Sequence, residues 1–259
     1  MPRYSANLTM LWNELPVLDR FRAAAVAGFR RVEILFVHDL DPAAVGAALR
    51  EHRLELWLFD PRPGDWAAGE RGLLTLPGRE TEFLESMQEA IAAARRFGTK
   101  RLNALAGIPK GVQPEEARKT AVSNLRAAAA LAAAEGMKIL VEAINNTDIP
   151  GYFAATADIA ADLVAGASSP AVRLQLDQYH VGMAGQDVRA MLRKHRALVE
   201  HVQIADVPGR HQPGTGKQPI AEFLADLDAM GYQGTVGLEY RPQGSTEESL
   251  AWLPRGARG

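Results

Sequence analysis

Short β-like runs and helical stretches alternate from one end of this chain to the other, and that alternation limits the fold more than any other feature. The apolar runs fall at 4–8, 31–36, 54–59, 101–106, 138–144, 172–177, 200–205 and 235–240. Helical patterns lie between them at 16–27, 42–51, 79–97, 114–135, 156–167, 188–196 and 220–230, with a short piece at 247–252. Capping chemistry supports these limits. Asp41-Pro42 reads as an N-cap followed by proline in the first turn, and Gly28, Gly98, Gly136 and Gly231 stand where helices must end. Strand and helix repeated eight times, joined by right-handed crossovers and with no linker between two halves, predict a single (β/α)8 TIM barrel over residues 1–259. A doubly wound sheet would need a glycine-rich turn after the first strand, and Ser5-Ala6-Asn7-Leu8 supplies none.

Length fits this expectation, since 259 residues is an ordinary size for one such barrel. The alanine-rich run at 127–134 is too short to span a membrane and reads as the close-packed face of a helix. No signal-peptide pattern opens the chain. A net charge of −2 and a pI near 6.3 argue against a nucleic-acid or anionic-membrane partner. With no cysteine, disulfides, thiol catalysis and cysteine zinc sites are excluded, and a cytoplasmic location is the expectation. A homo-oligomer is compatible with all of this.

Polar residues interrupt the apolar strands at matching places. In KILVEAINNTDIPG, Glu142 follows Ile139-Leu140-Val141 and precedes a polar loop. Asp177, Gln203 and Glu239 repeat the pattern in the next three strands. Side chains alternate along a strand, so the largely apolar neighbours of each would face the helices and turn the polar group inward. A barrel interior is packed, and inward polar groups at its C-terminal end need a counter-charge or a ligand. Three carboxylates and an amide oxygen on adjacent strands suit Mg2+ or Mn2+. The competing reading is four unrelated residues touching water or helix N-termini.

Other residues are weighed in the same way. His180, three after Asp177, is expected at the start of a loop as a substrate contact or a solvated side chain. His201 shares the face of Gln203 one layer deeper and reads as a satisfied core histidine, whereas His38, His52 and His195 read as surface residues. GDWAAGERG, with Trp66 and Arg71, looks like a lid over the third strand. PGTGK at 213–217 invites a phosphate-loop reading that fails, because His211 stands where the first glycine is required and Gln218 follows Lys217.

Taken with YSANLTMLW at 4–12, GFRRVEILF at 28–36, PGDWAAGERG at 63–72, LPGRE at 76–80, QLDQYH at 175–180, HVQIAD at 201–206 and GLEYRP at 237–242, the sequence resembles the hydroxypyruvate isomerase family. That family lies within the xylose-isomerase-like barrels, which also include the ketose 3-epimerases. The resemblance runs nearly end to end. It implies a divalent metal held by Glu142, Asp177, Gln203 and Glu239, with Glu142 and Glu239 also shuttling a proton. Ketose epimerases tend to carry histidine where Gln203 stands. An abasic-site endonuclease would need a denser His/Asp/Glu cluster and a basic surface. The implied reaction interconverts hydroxypyruvate and tartronate semialdehyde through a cis-enediolate. A 2-oxo-tetronate isomerase, a ketose 3-epimerase, a sugar-acid or inosose dehydratase and a non-catalytic sugar-binding barrel are the alternatives. For the carboxylate of a small hydroxy-keto acid, or for a sugar, the expected contacts are His180 and Trp66 with Arg71, Lys110, Arg210, Lys217 and Arg241 as cations.

Overall fold

A computed structural model describes residues 2–259. Eight parallel strands close into a barrel in the order in which they occur in the chain. They are β1 (Arg3–Asn7), β2 (Arg31–Phe36), β3 (Glu55–Asp60), β4 (Arg101–Asn103), β5 (Lys138–Glu142), β6 (Val172–Asp177), β7 (Val199–Ile204) and β8 (Thr235–Leu238). The helices around them are α1 (Val17–Ala27), α2 (Pro42–His52), α3 (Glu80–Phe97), α4 (Pro114–Ala134), α5 (Ala157–Ala167), α6 (Gln178–Met183), α7 (Val188–His195), α8 (Ile220–Ala229) and α9 (Thr246–Ser249). Among the described residues no helix is long and apolar enough to cross a membrane.

The caps act as the sequence predicts. Asp41 Oδ1 accepts from Ala43 N at 2.9 Å, and Pro42 opens α2. Gly28 and Gly98 end α1 and α3 at φ of 102° and 76°, in the left-handed region where a side chain is strained. On α4, Ala117, Ala121, Ala128 and Ala132 are fully buried, and a Cβ on Gly166 of α5 would lie 2.9 Å from Val122 Cγ2. Small residues therefore let these two helices approach closely.

Most apolar side chains, Phe21, Val32, Met87 and Phe223 among them, pack in the shell between strands and helices. Each such burial stabilises the fold by roughly 1.5–3 kcal/mol. Trp57, Leu58 and Leu140 form a separate small cluster. Polar side chains on the strands, Ser5, Glu33, Gln175 and Gln203 among them, are buried as well, and such groups in a packed barrel need partners or a ligand.

Most elements fall within two residues of the expected limits, and a few differences bear on the mouth of the barrel or the C-terminal end. β4 stops at Asn103 rather than 106, and Ala106 instead forms an isolated antiparallel bridge with Gly72 of the loop after β3. β8 stops at Leu238, so Glu239 stands just past the ladder. The last helical piece is 246–249 rather than 247–252, closed at its start by a reciprocal Ser245–Glu248 capping box. Residues 178–183 form α6 where a loop was expected; Asp177 caps it, accepting from Tyr179 N at 2.8 Å.

Candidate active site

Register brings the four singled-out residues to one end of the barrel. Glu142 pairs with Gln175, Asp177 with Gln203 and Gln203 with Gly237, so β5 to β8 present them side by side. All four are buried and all but Asp177, which sits beside them, line a cavity of about 510 Å3 at the C-terminal ends of the strands. Active sites of such barrels lie at this face.

Burial in a carboxylate cluster sets the electrostatics. It pushes Glu142 well above the usual carboxylate range, with Glu239 and Asp177 adding repulsion. It pushes Glu239 up to about 8 against the pull of Arg210. Asp177 is raised by burial, and the same arginine holds it back. His180 is driven well below its ordinary value, first by burial and then by Arg210.

His180 is therefore neither in a loop nor solvated. The α6 turn buries it against Glu142 and Asp177, and the ligand atoms of these three residues lie within 4.8 Å of one another. Asn145 Oδ1 accepts from Thr147 N and Asp148 N, so its Nδ2 faces His180 Nδ1 at 2.6 Å. Nδ1 is then the acceptor, and the ring hydrogen belongs on Nε2, 3.6 Å from Asp177 Oδ2. A neutral histidine with Nε2–H turned into the cavity is a donor to a ligand oxygen.

A divalent metal fits this donor set. Asp177 Oδ1 is used by the α6 cap, while Oδ2 is buried with no hydrogen-bond partner and points toward Glu142 and His180. Hard oxygen donors of this kind suit Mg2+ or Mn2+. Gln203 is placed differently from a simple ligand: its Oε1 accepts from Gln175 Nε2 at 2.6 Å, and its Nε2 donates to Glu33 Oε2 at 3.0 Å.

Beneath it lies a polar column of which the sequence reading singled out only His201. Glu33 accepts from Ser5 Oγ and lies 3.0 Å from His201 Nε2, and Trp57 Nε1 donates to His201 Nδ1 at 3.2 Å. His201 is fully buried as expected of a core histidine, but only its Nδ1 is satisfied; Nε2 makes no hydrogen bond of good geometry although Glu33 lies beside it. Asp60 joins the cavity from β3, raised well above its ordinary value by burial and by Glu239. Asn103 donates to Glu142 Oε2 at 2.8 Å. Glu33 in RVEILF, Asp60 closing ELWLFD and Gln175 in VRLQLD carry the same polar-in-apolar signal as Glu142, and that signal would have found them.

The expected cations separate into two groups. Arg71, Arg210 and Arg241 line the cavity, whereas Lys110 and Lys217 are exposed on loops outside it. Trp66 is 42% exposed and stacks edge-on to Phe36 at 5.1 Å, with Arg71 over its other side at 4.0 Å. Of the histidines expected at the surface, His38 is exposed, but His195 is largely covered and lies 2.6 Å from Asp158 Oδ1.

The loop carrying PGTGK has an anion of its own. Asp206 accepts from Val207, Gly214, Gly216 and Gln218 main-chain nitrogens at 2.8–3.0 Å. The backbone cradle that resembles a phosphate loop is filled by this carboxylate. It holds the segment that presents Arg210, a non-glycine residue at φ 57°. That conformation costs about 1–2 kcal/mol and is found at sites where the surroundings enforce it.

A family model, described as the xylose isomerase-like TIM barrel, matches residues 21–256. The chain belongs to that family. It is 41% identical to a 2-oxo-tetronate isomerase of Cupriavidus necator and 39% identical to a hydroxypyruvate isomerase of Escherichia coli, covering 98% of both chains in each case. A crystal structure titled AP endonuclease, family 2, from Brucella melitensis superposes with a TM-score of 0.96 at 41% identity, again over 98% of both chains. Whole-chain likeness to named isomerases makes this protein an isomerase of the xylose isomerase-like barrels. Its catalytic residues are then to be sought at the mouth just described.

Proposed function

We propose that this isomerase moves a carbonyl between adjacent carbons of a short hydroxy-keto acid, interconverting hydroxypyruvate and tartronate semialdehyde through a cis-enediolate. The observation that carries the reading is the pair Glu142 and Glu239: two carboxyls three strands apart that line one cavity, both buried and both made harder to ionise by that burial. A base that removes a hydrogen beside a carbonyl and returns it one carbon away works best with a pKa near the operating pH. Glu142 takes the proton from the hydroxyl-bearing carbon, Glu239 delivers a proton to the former carbonyl carbon, the hydroxyl proton passes to the former carbonyl oxygen, and exchange with solvent restores the two carboxyls. His180 Nε2–H donates to the oxygen on which enediolate charge develops.

Glu142, Asp177 and Glu239 would hold the divalent metal, with Gln203 Oε1 available when it turns from Gln175. The ion would supply Lewis-acid stabilisation of the developing oxyanion. Arg210, with Arg71 and Arg241 at the mouth, matches the substrate carboxylate. Trp66 and Arg71 cover the entrance and exclude water. The cavity of about 510 Å3 also admits a four-carbon acid, which together with the Cupriavidus relative favours 2-oxo-tetronates as the second reading. A net charge of −2 and a carboxylate-lined mouth speak against a nucleic-acid substrate.

The test follows solvent deuterium into hydroxypyruvate by NMR, before and after chelation and with Mg2+ or Mn2+ restored. Metal-dependent label at the hydroxyl-bearing carbon, with tartronate semialdehyde formed, is expected. Exchange with 2-oxo-tetronates alone would move the substrate and keep the chemistry. Strand cleavage of an abasic duplex without any exchange would overturn the reading.

A further inference from the structure

Arg210 stands among groups that a bound cation would also claim. Its Nη2 lies 2.8 Å from Glu239 Oε2 and 3.5 Å from Asp177 Oδ2. That Asp177 oxygen is the inward one, since Oδ1 is committed to Tyr179 N. The guanidinium carbon lies 4.9 Å from the Tyr179 ring centre, and Nε is buried with no hydrogen-bond partner among the described residues. Arg210 thus neutralises two carboxylates through a single nitrogen while part of its fork stays unsatisfied. Buried donors without partners are uncommon in a settled site and point to an acceptor that arrives from outside.

A dication and this guanidinium compete for the same two oxygens, one on Asp177 and one on Glu239. The main chain of Arg210 is pinned, with its N donating to Asp206 O at 3.1 Å and its O accepting from Arg241 N at 2.7 Å. Any exchange must therefore be a movement of the side chain alone.

We propose that Arg210 is a metal-displaceable counter-cation: it holds Asp177 and Glu239 until a divalent ion takes over those carboxylates, and the freed fork then receives the carboxylate of the substrate. This rests on the metal-dependent isomerase reading above. It makes ion and carboxylate cooperative, because each binds better once the other has resolved the competition for Arg210, and linkage requires the two effects to be equal.

The test reads Mn2+ binding, by electron paramagnetic resonance of the free ion at one fixed pH, and needs no turnover. Arg210→Met keeps the apolar stem and removes the charge, and it should bind Mn2+ about tenfold more tightly than the unaltered protein, within the usual range of coupling between sites. In the unaltered protein 3-hydroxypropionate, which has a carboxylate but no carbonyl, should tighten Mn2+ several-fold; in Arg210→Met it should do nothing. Equal or weaker Mn2+ binding in the variant, or no Mn2+ binding by the unaltered protein, overturns the proposal. If circular dichroism shows that Arg210→Met does not fold, Arg210→Lys replaces it. The lysine variant should keep the weaker Mn2+ affinity and lose the response to 3-hydroxypropionate; a full response there overturns the carboxylate half. Absence of hydroxypyruvate exchange with these Mn2+ responses intact would instead overturn the substrate reading alone.

Discussion

At the scale of single residues, the proposed proton shuttle would rest on two carboxyls, Glu142 and Glu239, whose protonated form burial favours. Glu142→Gln and Glu239→Gln retain shape and volume but cannot take a proton, so each should lower kcat by about 10²–10⁴-fold. A near-normal rate in a folded variant would remove that residue from the proton path. The same burial predicts a pH-dependent stability. Glu239 titrates at about 8 in the folded protein against an ordinary 4.5. Between those values the folded state keeps a proton that the unfolded chain has released, so this contribution is fully present below about 4.5 and lost as pH rises through about 8. The metal-free protein should therefore melt at lower temperature at pH 8.5 than at pH 5.5, and Glu239→Gln should flatten part of that slope. Identical slopes in scanning calorimetry would count against it. Asp177 and Glu142 were legible in the sequence as polar interruptions of apolar strands. The burial of His180 was not, because it depends on a short helix that Asp177 itself caps.

Two elements are built around a carboxylate, and each gives a prediction. In the loop after β7, Asp206 accepts four main-chain hydrogen bonds with two oxygens. Asp206→Asn leaves only one acceptor oxygen, so about 1–3 kcal/mol of stability should go, from donors left unpaired. KM should rise as well, because this loop presents Arg210. An unchanged melt together with an unchanged KM would sink the idea. On β8, a Cβ at Gly237 would lie 2.6 Å from both carboxylate oxygens of Glu33 and 2.8 Å from Gln203 Cγ. Glu33 cannot retreat, being held by Ser5 and Gln203. Gly237→Ala should cost about 1–3 kcal/mol in chemical denaturation; a neutral effect would show that the column is looser than its hydrogen bonds imply.

For the whole molecule, eight repeats of one βα pattern were enough to specify a closed parallel barrel. Handed crossovers and the need to bury every strand on both faces leave one economical solution. The sequence by itself determined the strand order, the end of the barrel that carries chemistry, and the carboxylates at positions 142, 177 and 239, because alternation and strand ends are local properties. Tertiary structure alone decided which cations reach the site. Arg71, Arg210 and Arg241 line it while Lys110 and Lys217 are exposed outside it, although nothing in their neighbours along the chain distinguishes them. It also decided that Gln203 bonds Gln175 and Glu33, residues 28 and 170 positions away in the chain. Such contacts arise from barrel closure and register, which bring distant strands to within hydrogen-bond length; a pattern read along one strand carries no trace of them.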